Sequence, residues 1–396
     1  MKGSIFECCF WSFFYNIISQ TDCFSPKRIV KLGERNSDWE NAMHIFDYKK
    51  YKEHTWDNEI ISYVSQIHEY RGKQDLYIRQ KPVELDRLIE IAKIQSTESS
   101  NSIEGIVTTK PRLKELMEDK TTPKNRDEEE ILGYRNVLEL IHENYEAIPV
   151  RSSYILQLHG ELLKYTSFSY RGKYKTTANE IAKTYPDGTK KTLFTPLEPY
   201  ETPEAVEMLC NEFDEALREG IVDPLILIPI FILDFLCIHP FNDGNGRMSR
   251  LMTLLLLYRS GYKVGQYISI EKSIADTKDS YYSALAMSDR GWHKYENDPK
   301  AFIKYMLGVI LACYREFESR ITMAEKAGVK STSYDIVKEY AVNVIGTFTK
   351  QEALMHCPSL GSSSVESALK KLVEDGTLKR IGSGRKTHYV NADAYK

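Results

Sequence analysis

The sequence predicts a mainly α protein: an all-helical core interrupted by one β-hairpin, followed by a small winged helix-turn-helix domain. Three observations carry this. Apolar residues recur at helical spacing in segment after segment between residues 57 and 320. One break rich in Thr, Tyr and Lys falls at residues 169–203. From about Ser333, three short helical patterns lead into two strand-like runs joined by Gly-Ser-Gly.

The elements follow in order. "LDRLIEIAKIQ", "TTKPRLKELMED", "EEEILGYRNVLELIHENYEAI" and "SYILQLHGELLKY" each place apolar residues on one helical face. Periodicity then vanishes, and Pro186-Asp187-Gly188 marks a tight turn between strand-forming flanks, a hairpin over residues 181–196. Helices resume with "EAVEMLCNEFDEALREG", "PLILIPIFILDFLCIHPF" and "GRMSRLMTLLLLYRSGY". The run Leu225 to Ile238, broken by Pro229 and Asp234, is too short for a bilayer and fits a buried central helix. "KDSYYSALAMSD" and "DPKAFIKYMLGVILACYREFESRI" complete the core, and "EKAGVKSTS" reads as a linker. In the last part, "SSSVESALKKLVEDG" is a helix opened by a serine cap and closed by Gly376.

These patterns divide the chain into a poorly defined segment 1–40, a helical region 41–125, a core domain 126–325 and a winged helix domain 331–396. The aromatic run "SIFECCFWSFFYNII" carries Glu7 and Asn16 and is short for a membrane span. It reads as a loosely attached segment or a mis-assigned start, with the working protein beginning near Trp39 or Met43. A cytoplasmic protein without a membrane partner is expected. Net charge of −3 excludes wholesale electrostatic binding to nucleic acid. Seven cysteines without CxxC indicate neither a disulfide framework nor zinc, and the apolar neighbours of Cys237 make it an inert thiol.

The chemistry concentrates in "CIHPFNDGNGRMSRLM", residues 237–252. A helix delivers His239 to a loop, and Pro240 helps end the helix. The glycines of "DGNG" let successive N–H groups turn toward one point, and the helix that follows aims its unpaired N–H groups there too. Arg247 and Arg250 lie one turn apart beside them. This is a phosphate site. Asp243 would be repelled by bare phosphates, which implies Mg²⁺ bridging a polyphosphate. His239 is the nearby base that titrates near neutral pH. GxxxxGK[ST], GxGxxG and HExxH are all absent.

"HPFNDGNGRMSR" resembles the signature of the Fic domain family, H-x-F-x-[D/E]-G-N-G-R-x-x-R, at every fixed position. The resemblance, covering roughly residues 57 to 320, implies an AMP transferase that moves AMP from ATP to a Tyr, Ser or Thr hydroxyl of a protein. It implies His239 as the base, Asp243 as the Mg²⁺ ligand, and Asn245 with the N–H groups of Gly244 and Gly246 as stabilisers of the transferred phosphoryl. Arg247 and Arg250 would grip the β- and γ-phosphates. Asp243 and Gly244 disfavour the phosphate-transferring Doc branch. The hairpin 181–196 would dock the target protein by strand pairing. Leu193 and Phe194 would either cover the nucleotide or pack within the hairpin. Of Tyr281 and Tyr282, which diverge by about 100° on a helix, one would touch the base. "SSNSIEGI" resembles the family's inhibitory motif through Ser100, Glu104 and Gly105, with Glu104 pairing to Arg250.

In the C-terminal domain nine Lys and Arg face seven Asp and Glu, a net of +2. The basic residues Lys379, Arg380, Arg385 and Lys386 in the wing fit DNA contact, while the mixed charge of "SVESALKKLVEDG" fits protein docking or dimerisation. Self-modification and a homo-dimer are compatible partners. Two alternatives stay open: a DNA-binding regulator whose core only senses nucleotide, and an enzyme that removes AMP with water positioned by Glu104.

Overall fold

Every strongly periodic segment is helical. The first part holds α1 (Asn58–Gln80), α2 (Pro82–Ile103), α3 (Lys110–Met117), α4 (Arg126–Asn144) and α5 (Ser152–Leu162). An antiparallel hairpin follows, β1 (Ile181–Thr184) and β2 (Lys190–Phe194). Then come α6 (Thr202–Glu219), α7 (Pro224–Ile238), α8 (Asn245–Arg259), α9 (Ile270–Asp276), α10 (Lys278–Ser288) and α11 (Lys300–Gly328). The structure is a computed structural model describing residues 46–396 apart from Lys81, 185–188, 329–331, Ile345, Ser359, 385–386 and 393–396. The readings of residues 1–40, of the Pro186-Asp187-Gly188 turn, and of Arg385 and Lys386 lie outside the described residues.

The helices start where the sequence supplies caps. Asn125 accepts the Glu128 N–H and three acids occupy the first turn of α4, where the helix dipole favours them. Asp223 accepts the Leu225 N–H at the start of α7. All of α7 except Pro224 and Leu236 is buried, and α6, α8 and α11 pack around it. A helix apolar on all sides must be enclosed. Gly133 on α4 meets α5 so closely that a Cβ would lie 1.9 Å from the Leu162 carbonyl oxygen. That contact seats α5, which matters for the site. Among the described residues no helix is long and apolar enough to cross a membrane.

The C-terminal part contains α12 (Ser333–Asn343), β3 (Thr347–Phe348), α13 (Lys350–His356), α14 (Ser362–Glu374), β4 (Leu378–Ile381) and β5 (His388–Asn391). Its strands form an antiparallel sheet in the order β3-β5-β4, over a core of its own that includes Val337, Phe348, Leu369 and Leu372. Two details differ from the sequence reading. Helix α11 runs on to Gly328, into the expected linker, because Met323 to Ala327 contains no breaker. Helix α14 is capped by Gly361, with no side-chain hydrogen bond, rather than by a serine.

Candidate functional site

Helix α7 ends at His239, whose backbone takes the left-handed conformation (φ 50°). Five residues later Gly244 (φ 84°) caps the start of α8. His239 Nδ1 lies 3.3 Å from the Leu236 carbonyl. A carbonyl only accepts, so Nδ1 carries the proton and Nε2 keeps its lone pair. Burial pushes the imidazole down to about 4, so the ring is neutral at pH 7.

The loop between the helices is held from three sides. Asn245, fully buried, accepts the Phe241 N–H at 2.9 Å and donates to the Phe241 carbonyl at 2.7 Å. Its amide is therefore committed to the loop backbone. The stretch leading into the hairpin supplies the second wall. Lys175 N–H donates to the Pro240 carbonyl at 2.9 Å, its ammonium to the Ile238 carbonyl at 3.0 Å, and Asn179 Nδ2 to the Phe241 carbonyl at 3.0 Å. Burial lowers the Lys175 ammonium to about 8. From α5 comes His159, stacked on Phe241 with centroids 3.7 Å apart. The Gly172 N–H donates to its Nδ1 at 3.0 Å, so Nε2–H donates to the Asp243 carbonyl at 3.1 Å. Burial, the largest influence, lowers the His159 ring to about 4.

Charges alternate beside this loop. Asp243 accepts the Gly244 N–H at 2.6 Å and lies 3.4 Å from Arg247 Nη2 and 3.3 Å from Arg126 Nη2. Glu130, buried on α4, pairs with Arg126 at 2.7 Å and with Arg247 at 2.6 Å. Arg247 is 0% exposed, and its Nε and Nη1 have no hydrogen-bond partner among the described residues. Orphaned guanidinium nitrogens in a buried position are what an anion would satisfy. Among the described residues no group of three or more His, Cys, Asp or Glu could hold a metal ion.

Arg250 faces α2. It donates to Ser100 Oγ at 2.8 Å, to the Ser100 carbonyl at 2.9 Å and to Glu104 Oε1 at 2.7 Å. Burial, the largest single influence, would raise the Glu104 carboxyl, but the Arg250 charge and hydrogen bond together with the charges of Arg247 and Lys278 hold the group below its ordinary range. Gly105 follows with φ 80° and ends the helix. Glu104 also explains Gly246: a Cβ there would stand 2.2 Å from Glu104 Oε1 and 3.2 Å from Arg250 Nη1.

The outlying residues divide. Phe194 stacks on His293 (5.3 Å) and meets Trp292 edge-on, whereas Leu193 is 51% exposed. Tyr281 is buried against Phe302 and Tyr305, whereas Tyr282 is 43% exposed. Cys237 is buried, and desolvation pushes its thiol far up, which leaves it unreactive. Sequence reasoning missed Arg126, Glu130, His159, Lys175 and Asn179. The signals were faint: Lys175 and Asn179 sit in an aperiodic stretch, and His159 looks like any histidine on an apolar helix face.

Fold and site together define a helical domain in which a loop–helix junction sets a buried arginine with two unpartnered nitrogens beside a neutral histidine. Residues 149–257 match the model of the Fic/DOC family, so this part of the chain is similar to a Fic domain. The protein adenylyltransferase Fic of Nematostella vectensis is 27% identical over 234 residues, 56% of this chain and 48% of that protein. Protein adenylyltransferase fic-1 of Caenorhabditis briggsae is 26% identical over 187 residues, 46% of this chain and 32% of that protein. The chain thus spans half or less of these curated relatives. The crystal structure of a Fic family protein from Desulfovibrio desulfuricans G20 superposes with a TM-score of 0.55 at 21% identity, covering 85% of this chain and 97% of that one. A structure of Fic-1 from C. elegans gives 0.53 at 18%, covering 68% and 73%. These two show the fold.

Proposed function

We propose that the protein transfers AMP from ATP to a Tyr, Ser or Thr hydroxyl of a target protein and that Glu104 restrains it. One observation carries the reading: a neutral histidine with Nε2 free to accept a proton stands at the same loop as a buried arginine with two unpartnered nitrogens. The activity named for the relatives, protein adenylyltransferase, supports it.

The hydroxyl oxygen attacks the α-phosphorus, its proton passes to Nε2 of His239, and the bond to the bridging oxygen breaks to release pyrophosphate. His239 then returns the proton to solvent. Arg247 takes the β-phosphate on its orphaned nitrogens, and the N-terminal N–H groups of α8 face the developing charge. Asn245 contributes by fixing the loop through Phe241. Asp243 is the residue that would hold Mg²⁺, which supplies charge neutralisation between phosphates.

Arg250 is the γ-phosphate partner, and Glu104 occupies it at 2.7 Å. Departure of Glu104 frees both the guanidinium and the space over Gly246. Tyr282, the exposed member of its pair, fits the nucleoside side, and the exposed Leu193 fits a cover. The hairpin docks the target by strand pairing. Domain 126–325 is the catalytic core, self-modification is a natural outcome of accessible hydroxyls, and a dimer is the expected assembly. The C-terminal domain reads as a winged helix used for docking. Glu366, Lys370 and Glu374 on α14 and Arg380 on β4 line a cleft of about 2150 Å³ facing α2 and α3, which turns them toward the core.

The test is transfer of label from ATP with Mg²⁺ to lysate proteins or to the chain itself. Glu104→Gly should raise labelling. His239→Ala should lower it by about 10²- to 10⁴-fold, the usual worth of a general base, with nucleotide binding retained. Labelling by the Glu104→Gly variant that is indifferent to His239→Ala sinks the reading.

A further inference from the structure

The inhibitory residues Ser100, on α2, and Glu104, one residue past its end, are four positions apart, and Ser96 continues the same stripe one turn earlier. All three point polar atoms at partners in the core. Ser100 and Glu104 engage Arg250, whereas Ser96 donates to Glu271 Oε2 at 2.8 Å. Glu271 begins α9 and is 1% exposed. Its other oxygen accepts from Tyr134 of α4 at 3.0 Å. The Ser269 hydroxyl lies 2.9 Å from Ser96 and caps α9 by accepting the Lys272 N–H at 3.0 Å. Ser96 and Ser100 are themselves fully buried. A buried carboxylate is costly unless its oxygens are satisfied, and here α2 supplies one of the hydroxyls that do so.

We propose that Glu271 is the anchor of the inhibitory helix: a positioning residue that, through Ser96, holds the Ser96–Ser100–Glu104 stripe in register with Arg250. The reason is geometric. Glu104 is the last residue before the Gly105 cap, so its carboxylate can move with the helix end. A hydrogen bond to a buried charge two turns upstream fixes the rotation and height of the helix, and with them the reach of Glu104. Burial, the largest influence, raises the Glu271 carboxyl above its ordinary range, against the hydrogen bonds from Ser96 and Tyr134 and the charge of Arg250. Without the Ser96 hydroxyl, Glu271 Oε2 keeps only the longer contact from the Ser269 hydroxyl at 3.3 Å, and a buried carboxyl short of a donor is more costly than a lost surface contact.

This deepens the reading of Glu104 as an inhibitor and rests on it, and the experiment separates the two. Ser96→Ala and, independently, Glu271→Gln are compared with wild type by amide hydrogen exchange over residues 92–106 and by label transfer from ATP. Losing one hydrogen bond to a charged group should speed both exchange and transfer by about tenfold. In the Glu104→Gly background the same substitutions should leave transfer unchanged, a coupling that a merely structural role would not produce. Unchanged exchange and transfer in Ser96→Ala overturns the anchor, as does an equal effect with and without Glu104. Should Glu104→Gly fail to activate, inhibition itself is wrong, and exchange at 92–106 still decides whether Glu271 holds the helix. If Glu271→Gln does not fold, the smaller Ser96→Ala change carries the test.

Discussion

At the scale of single residues, His159 sets the shape of the loop without facing a reacting group. It pairs with the Asp243 carbonyl and the Gly172 N–H and lies flat on Phe241. His159→Phe would keep the stacking and strand both partners. The expected loss is about 1–3 kcal/mol of stability, read by denaturant unfolding, with a fall in transfer rate that nucleotide binding does not match. Gly246→Ala acts on the opposite face. Its methyl would overlap Glu104 Oε1, which can swing away because it ends a side chain, but it also intrudes on the phosphate cradle. Weaker nucleotide binding by calorimetry is expected even with Glu104→Gly present. Residues 239–250 were legible in the sequence because their chemistry is contiguous. His159, Lys175 and Asn179 were not, since each is ordinary alone and its partner lies 60 or more positions away.

At the scale of elements, the hairpin and α2 matter most. The pair β1–β2 is two-stranded and largely exposed, and such a hairpin is marginal by itself. Phe194 ties it to Trp292 and His293. Phe194→Ala removes aromatic contacts worth about 0.5–1.5 kcal/mol, which reduces the docked flap by up to about tenfold. The expected result is a higher KM for the protein target with an unaltered affinity for ATP. Hairpin position followed from the loss of helical period; its attachment did not, because His293 and Phe194 are remote in sequence. The split of the Tyr281–Tyr282 pair was foreseeable from the helical turn angle, but which member faces inward depended on how α10 rolls against α11.

At the scale of the whole molecule, four histidines share one sign of behaviour. Burial lowers His142 to about 3 and His159, His239 and His356 to about 4. A lowered histidine stabilises the fold fully above its ordinary value near 6.5 and loses that contribution as pH falls toward the folded value. Asp234 opposes them. Burial raises it to about 6 despite hydrogen bonds from Trp292 and Tyr48, so its contribution is present at low pH and fades as pH rises through 6. The melting temperature should therefore fall from pH 7 to pH 5, and Asp234→Asn should steepen the fall; a shallower slope contradicts the assignment.

The sequence by itself determined the helical class, the hairpin and the glycine-rich loop between α7 and α8, because periodicity and backbone-directing residues act locally. It also marked Ser100, Glu104 and Gly105. Only the tertiary structure decided what those residues meet: Glu104 on Arg250, Ser96 on Glu271, and the loop carbonyls on Lys175 and Asn179. The physical reason is that hydrogen bonds and buried charges are settled by distance in space, and packing of α2, α4, α8 and α9 brings together groups that the chain itself keeps far apart.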